Sequence, residues 1–220
     1  MNDLKNKIIA VLVGISFMLI ALLIQIIFQE MPFIILFIEH GYLNAEKILE
    51  NFEFSYAILY AIFIGGTAGI FQELMKYFGV KIQNIEYALY VGIGFSIIDI
   101  SVGIIEYLPT KLVYYEYIIL AVNFLISLMF HPGTAMLLKH GIIINKIGLY
   151  LPLTILLHTF IDGGVAFSDI VINKNNFVFV VTTFLTISVI ISLLSLIFGL
   201  KLNYKDQKGY KNQFVNDNHD

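Results

Sequence analysis

The chain has 220 residues, of which 59% are hydrophobic and 13% charged, with a formal net charge of −3 and no cysteine. That balance excludes an ordinary soluble domain, offers no basic surface for nucleic acid, and leaves no disulfide, thiolate nucleophile or thiolate-held metal.

Apolar runs long enough to cross a hydrocarbon layer of about 30 Å predict an all-α polytopic membrane protein. Six transmembrane helices are expected, at 8–28, 54–78, 85–106, 113–137, 147–168 and 177–200, packed as one bundle over residues 1–200. No internal repeat or interdomain linker divides them. Residues 201–220 are polar and predict a disordered tail.

The first run is about 21 residues long and no small-residue cleavage site follows it, so it is expected to be a permanent helix and not a signal peptide. Its polar residues, Ser16 and Gln25, are assigned to ordinary packing, as are Thr182, Thr183, Thr186, Ser188, Ser192 and Ser195 of the sixth run. Residues 29–53 carry Glu30, Glu39, Glu46, Glu50 and Glu53 and predict a loop with a stretch lying on the membrane surface.

Orientation follows from lysine, since the chain has no arginine. A cytoplasmic N-terminus puts Lys5, Lys7, Lys76, Lys81, Lys139, Lys146, Lys201, Lys205, Lys208 and Lys211 inside. Only Lys47, Lys111 and Lys174 are left outside, and both termini are then cytoplasmic.

The second run contains Gly65-x-x-x-Gly69, a smooth surface on which another helix can approach closely. Gln72, Glu73 and Lys76 follow, with Glu73 and Lys76 three apart on one face. Lys76 could reach the membrane surface, leaving Glu73 about one turn inside the boundary. The third run places Phe95 and Asp99 on one face after Gly92 and Gly94, with Asp99 near mid-membrane.

In the fourth run Asn123, Ser127 and His131 stand at intervals of four and form a polar line, and Pro132 opens the helix backbone beside the histidine. The fifth carries Thr154, His158 and Asp162 at the same interval, followed by Gly163 and Gly164. A His and an Asp four apart can set up a general base, hold a metal or pass protons.

An ionisable side chain inside a membrane costs roughly 2.5–3.5 kcal/mol at a helix centre and therefore faces the bundle interior. One Glu, two His and two Asp on four consecutive helices can meet only in the middle of the bundle. At these residues the chain resembles the YhfC family of glutamic-type intramembrane peptidases, distant relatives of the CAAX prenyl endopeptidases and PrsW proteases. Ala68-Gly-Ile-Phe-Gln-Glu-Leu-Met-Lys-Tyr77 is similar to the family's Ala-Gly-x-x-Glu-Glu-x-x-Arg-Tyr helix. Gly92-Ile-Gly-Phe-Ser-Ile-Ile-Asp99 is similar to its Gly-x-Gly-His-x-x-x-Glu helix. Phe130-His131 and Leu157-His-Thr-Phe-Ile-Asp162 match its Phe-His and Leu-His-x-x-x-Asp helices.

The resemblance spans roughly residues 60–170 and has departures. Gln72 stands for the first motif glutamate, Lys76 for arginine, Phe95 for a histidine and Asp99 for a glutamate. What the resemblance implies is hydrolysis of a peptide bond in a membrane-embedded or membrane-anchored peptide or protein. Glu73 would activate water, His158 and Asp162 would handle the proton, and His131 would assist. Gln72, Lys76 and Asp99 would support the site.

No cofactor is required by that chemistry. If a divalent metal such as zinc takes part, Glu73, His131 and His158 are its expected ligands. Two alternatives stay open. A catalytically degenerate bacteriocin-immunity or binding protein would keep the constellation without turnover. A small proton- or ion-coupled transporter subunit would use it as a relay, although no inverted repeat or pair of interrupted helices supports that.

Overall fold

The computed structural model describes residues 2–107, 114–171 and 177–216. Seven α-helices follow one another: α1 (Asn2–His40), α2 (Tyr42–Ser55), α3 (Ala57–Lys81), α4 (Ala88–Tyr107), α5 (Tyr114–Ile143), α6 (Ile147–Val171) and α7 (Phe177–Asn216). A 3-10 turn, Ile85–Tyr87, leads into α4, and there is no strand among the described residues. Six of the helices, all but α2, are long and apolar enough to cross a membrane. The protein is therefore an all-α integral membrane bundle, as the hydropathy pattern predicts. Leu23, Leu156 and Phe179 stand exposed on its outer surface while Glu73, Lys76, His131 and His158 are buried inside, the arrangement that a lipid solvent favours.

Two expected boundaries are corrected. Residues 29–53 are helical: α1 continues through Pro32 to His40, because Met31–Ile38 is apolar apart from that proline and extends the helix's lipid-compatible surface. Gly41, at φ 76°, then takes the left-handed conformation that turns the chain into α2, a region glycine enters without a Cβ penalty. The segment expected to be a disordered tail from 201 is also helical as far as Asn216. Asp206 Oδ2 lies 2.7 Å from His140 Nδ1 of α5, and this contact holds the extension against the bundle. Lys111, Lys174 and the last four residues lie outside the described residues.

The helix pairs α3–α6, α5–α7, α1–α4 and α4–α5 form the body of the bundle, and glycine sets the closest approaches. Without a hydrophobic force between helices in lipid, such close backbone packing supplies much of the association. A Cβ on Gly65 would lie 2.7 Å from Gly163 Cα, and one on Gly69 would lie 2.7 Å from Thr159 Oγ1. The Gly65-x-x-x-Gly69 surface is thus the seat of α6, which carries His158 and Asp162. Likewise, a Cβ on Gly92 would come within 2.6 Å of the His131 carbonyl, so this glycine lets α4 press on α5 where Pro132 follows His131.

Gly65→Ala should therefore lower stability by about 1–3 kcal/mol, the usual cost of overpacking. Gly66→Ala should not, because its Cβ would meet nothing within 4 Å. Thermal unfolding of both variants in one detergent checks the pair.

At the end of the bundle that holds the N-terminus, Lys139 of α5 donates to the Val80 carbonyl at 3.0 Å and to the Gln83 carbonyl. It thereby closes the C-terminus of α3, where a cation meets the helix's negative end. This lysine is 8% exposed and serves α3 rather than the membrane surface.

Candidate active site

Glu73 and Lys76 point into the bundle from α3, and both are 0% exposed. Lys76 does not reach the membrane surface. Its ammonium bonds Glu73 Oε1 and, at 2.9 Å, Thr134 Oγ1 of α5, and it lies 5.2 and 5.5 Å from the centroids of Phe95 and Phe130. Those rings lend their negative faces to the buried cation. A buried pair of this kind is held together by mutual need, since either charge alone would be uncompensated.

The other partner of Glu73 Oε1 is His158 Nδ1 of α6, at 2.8 Å. One turn later on α6, Asp162 Oδ2 stands 3.3 Å from His158 Nε2. The imidazole is thus bracketed by two carboxylates. Both contacts are hydrogen bonds only if both ring nitrogens carry hydrogen or one carboxyl does. His131 of α5 makes the parallel contact, with Nε2 3.3 Å from Asp99 Oδ2 of α4. The two imidazoles meet edge to face with centroids 5.4 Å apart, and Phe130 packs on His158 at 5.1 Å.

One ligand-capable atom from each of Glu73, His131 and His158 lies within 4.8 Å of the others. Glu73 Oε2 and His131 Nδ1 are buried and have no hydrogen-bond partner among the described residues. Such orphans are uncommon and mark places where a small polar species belongs. Two imidazoles and a carboxylate also form a recognised donor set for zinc. The Lys76 ammonium on the same carboxylate opposes a second cation there.

A cavity of about 360 Å³ opens beside this cluster. Gln72, Asp99, Asn123, Ser127, His131, His158 and Asp162 line it, together with Gln25 and Gln29 of α1. Glu73 and Lys76 are not in its wall; they sit behind the two histidines. The cavity extends past Gln29 of α1, Val102 of α4 and Val165 of α6, away from the end that holds the N-terminus. Asp99 and Asp162 keep 41% and 32% of their side chains exposed, whereas His131 and His158 expose 2% and 3%.

The structure therefore brings Glu73, His131, His158, Asp162, Gln72, Lys76 and Asp99 to one place. Thr154 is not in it: its hydroxyl bonds the Leu151 carbonyl of its own helix at 3.0 Å. Phe95 is fully buried, with its ring 6.0 Å from that of His131. Ser96, from the turn that carries Phe95, donates to the Ser127 carbonyl at 2.8 Å and ties α4 to α5 below the histidine.

Three participants escape sequence reasoning. Thr134 stands three residues after His131, and its place beside Lys76 follows from the α3–α5 approach alone. Gln25, expected to serve packing, and Gln29, expected in a loop, both line the cavity. Gln25 accepts a hydrogen bond from Gln72 Nε2 at 2.9 Å. Their spacing of four on an apolar helix is the signal that could have found them.

No family model, no curated protein and no solved structure matches the chain.

Proposed function

We propose that this protein is an intramembrane endopeptidase of the YhfC-like glutamic type, acting on a membrane-embedded or membrane-anchored peptide. The observation that carries this reading is the meeting of Glu73, His131 and His158, from three helices, within 4.8 Å beside a polar cavity inside an apolar bundle. The four segments that resemble the family's motifs supply these groups together with Asp99 and Asp162.

In this reading water reaches the cluster between the two histidines. Glu73 Oε2, the carboxylate oxygen without a hydrogen-bond partner among the described residues, takes a proton from it. The water oxygen bonds to the peptide carbonyl carbon, and an N–H of His131 steadies the developing oxyanion. The C–N bond then breaks, and the leaving amine takes its proton from His158, which Glu73 and Asp162 hold in place. Lys76 keeps Glu73 ionised and aimed. Gln72 and Phe95, at positions where the family has Glu and His, are not given a proton-transfer role.

The setting belongs to the same proposal: a bacterial cytoplasmic membrane with both termini in the cytoplasm. Exposed Lys5, Lys81, Lys146, Lys201, Lys205 and Lys208 all lie at the N-terminal end of the bundle, which supports that orientation by the positive-inside rule. Lys76 and Lys139 are buried and drop out of the argument. The cavity then faces the outer half of the membrane, which gives the substrate its side of approach.

The test is cleavage of membrane-anchored peptides by the purified protein in liposomes, read by mass spectrometry and lost in His158→Ala. A second reading rests on the same three atoms, with zinc held by Glu73, His131 and His158 and acting as a Lewis acid. Stoichiometric zinc in chelator-washed protein, absent from His131→Ala, would favour it. Metal-free protein with full activity would remove it.

A further inference from the structure

The cavity has a second feature that the hydrolytic cluster does not use, a directional chain of side-chain amides. Gln29 Nε2 donates to the Ile64 carbonyl at 3.1 Å and to Thr67 Oγ1 at 2.9 Å. A backbone carbonyl can only accept, so it fixes which way the Gln29 amide faces. The Thr67 hydroxyl hydrogen is itself directed to the Phe63 and Ile64 carbonyls, each at 2.9 Å, which leaves a lone pair for Gln29.

From that anchor the order propagates. Gln29 Oε1 accepts from Gln25 Nε2 at 3.3 Å, and Gln25 Oε1 accepts from Gln72 Nε2 at 2.9 Å. Reversing any one amide would set two donors or two acceptors face to face. The chain therefore ends on Gln72 Oε1, an acceptor on a residue 3% exposed, with no protein partner among the described residues.

Gln72 shares the cavity wall with Asp99 and Asp162. Each aspartate contacts one histidine through one oxygen and stays partly exposed, and a carboxylate has about four acceptor positions in all. Among the described residues no lysine lines the cavity, and Lys76 is sealed behind the histidines. Three residues with accepting groups, from α3, α4 and α6, thus line one space, where among the described residues the two histidines, each already on an aspartate, are the only side chains that could carry positive charge.

We infer that this cavity binds its ligand through a primary ammonium group, held by Gln72 Oε1 and the carboxylates of Asp99 and Asp162. An ammonium has three donors and a compact charge, one donor for each acceptor. The amine could be carried by a peptide, as a lysine side chain or N-terminus, or by a small molecule. This deepens the peptidase reading by giving its substrate a recognised group, and it rests on that reading only for the peptide-borne form. The glutamine that departs from the family motif becomes a binding residue.

The test uses the full chain in nanodiscs and four probes. They are an N-acetylated apolar hexapeptide amide with one lysine, the same peptide with acetyl-lysine, n-hexylamine and potassium chloride. The lysine peptide should bind about tenfold or more tighter than its acetyl-lysine twin, the range for one hydrogen bond to a charged group. Gln72→Leu and Asp99→Asn should each weaken it by a similar factor, Gln25→Leu should weaken it by freeing the Gln72 amide to turn, and Gln72→Glu should retain it.

Competition by n-hexylamine would show that the amine alone suffices. Its failure to compete, with lysine selectivity intact, would place the amine on a peptide. Equal binding of the two peptides, no binding, wild-type affinity in both Gln72→Leu and Asp99→Asn, or displacement by potassium chloride as readily as by n-hexylamine would each overturn the inference. Selective binding without cleavage would leave the inference and remove the peptidase reading. Equal cleavage of both peptides would do the reverse.

Discussion

Glu73→Gln and Lys76→Met should each destabilise the protein by about 3–5 kcal/mol, and the double variant should recover most of that loss, because removing one partner of a buried ion pair strands the other. Both side chains are fully buried, and among the described residues the ammonium hydrogen-bonds only Glu73 and Thr134 and lies over two aromatic rings. The two single variants should differ. Glu73 left by Lys76→Met still faces His158 Nδ1, whereas Lys76 left by Glu73→Gln keeps no carboxylate in hydrogen-bond contact among the described residues, Asp99 and Asp162 acting on it only from a distance. Glu73→Gln is therefore the more costly change. Thermal unfolding of the four proteins in one detergent makes the comparison, and a double variant that loses the sum of the two singles would refute the pairing. Catalytic loss in Glu73→Gln must accordingly be judged against the double variant, which restores the fold without restoring the base.

His158→Ala should lower cleavage by about 10²- to 10⁴-fold, the usual contribution of a positioned acid–base group. This residue touches both Glu73 and Asp162, so its removal breaks the proton path at its centre. Asp162→Asn should cost less, because the Glu73 contact with Nδ1 still orients the ring. The loss in His158→Ala should fall mainly on kcat, since its proton goes to the leaving amine only as the C–N bond breaks, whereas Asp162→Asn should also raise KM for a peptide that carries an ammonium. Equal falls in kcat for Asp162→Asn and His158→Ala would show that Asp162, not Glu73, is the partner that matters.

Hydropathy made the six spans legible because a lipid solvent imposes one requirement on length and one on composition, and both are visible residue by residue. Helical spacing made His158 and Asp162 legible as a pair, and the glycines at 65 and 69 as a seat for another helix. Other features depend on helix rotation and on partners distant in sequence. Whether Lys76 turns outward or inward is decided by Thr134, 58 residues away, and by two phenylalanine rings on other helices. Gln25 and Gln29 belong to the cavity because α1 lies beside α3, which the sequence of α1 does not encode. The acidic residues of 29–53 suggested a loop, but they lie on helices whose far ends leave the apolar layer: a 38-residue span rises about 57 Å at 1.5 Å per residue, well beyond the hydrocarbon thickness. The polar extension past residue 200 is helical because His140 and Asp206 meet, a contact between positions 66 apart.

Cleavage in reconstituted liposomes decides whether Glu73 and His158 form one hydrolytic site. A pool of membrane-anchored peptides would be incubated with wild type, Glu73→Gln/Lys76→Met and His158→Ala, each verified as folded, and the products identified by mass spectrometry. Defined peptide cuts by wild type that vanish in both variants are the expected result. Cuts that persist in either folded variant, or no cut by folded wild type across the pool, would contradict it.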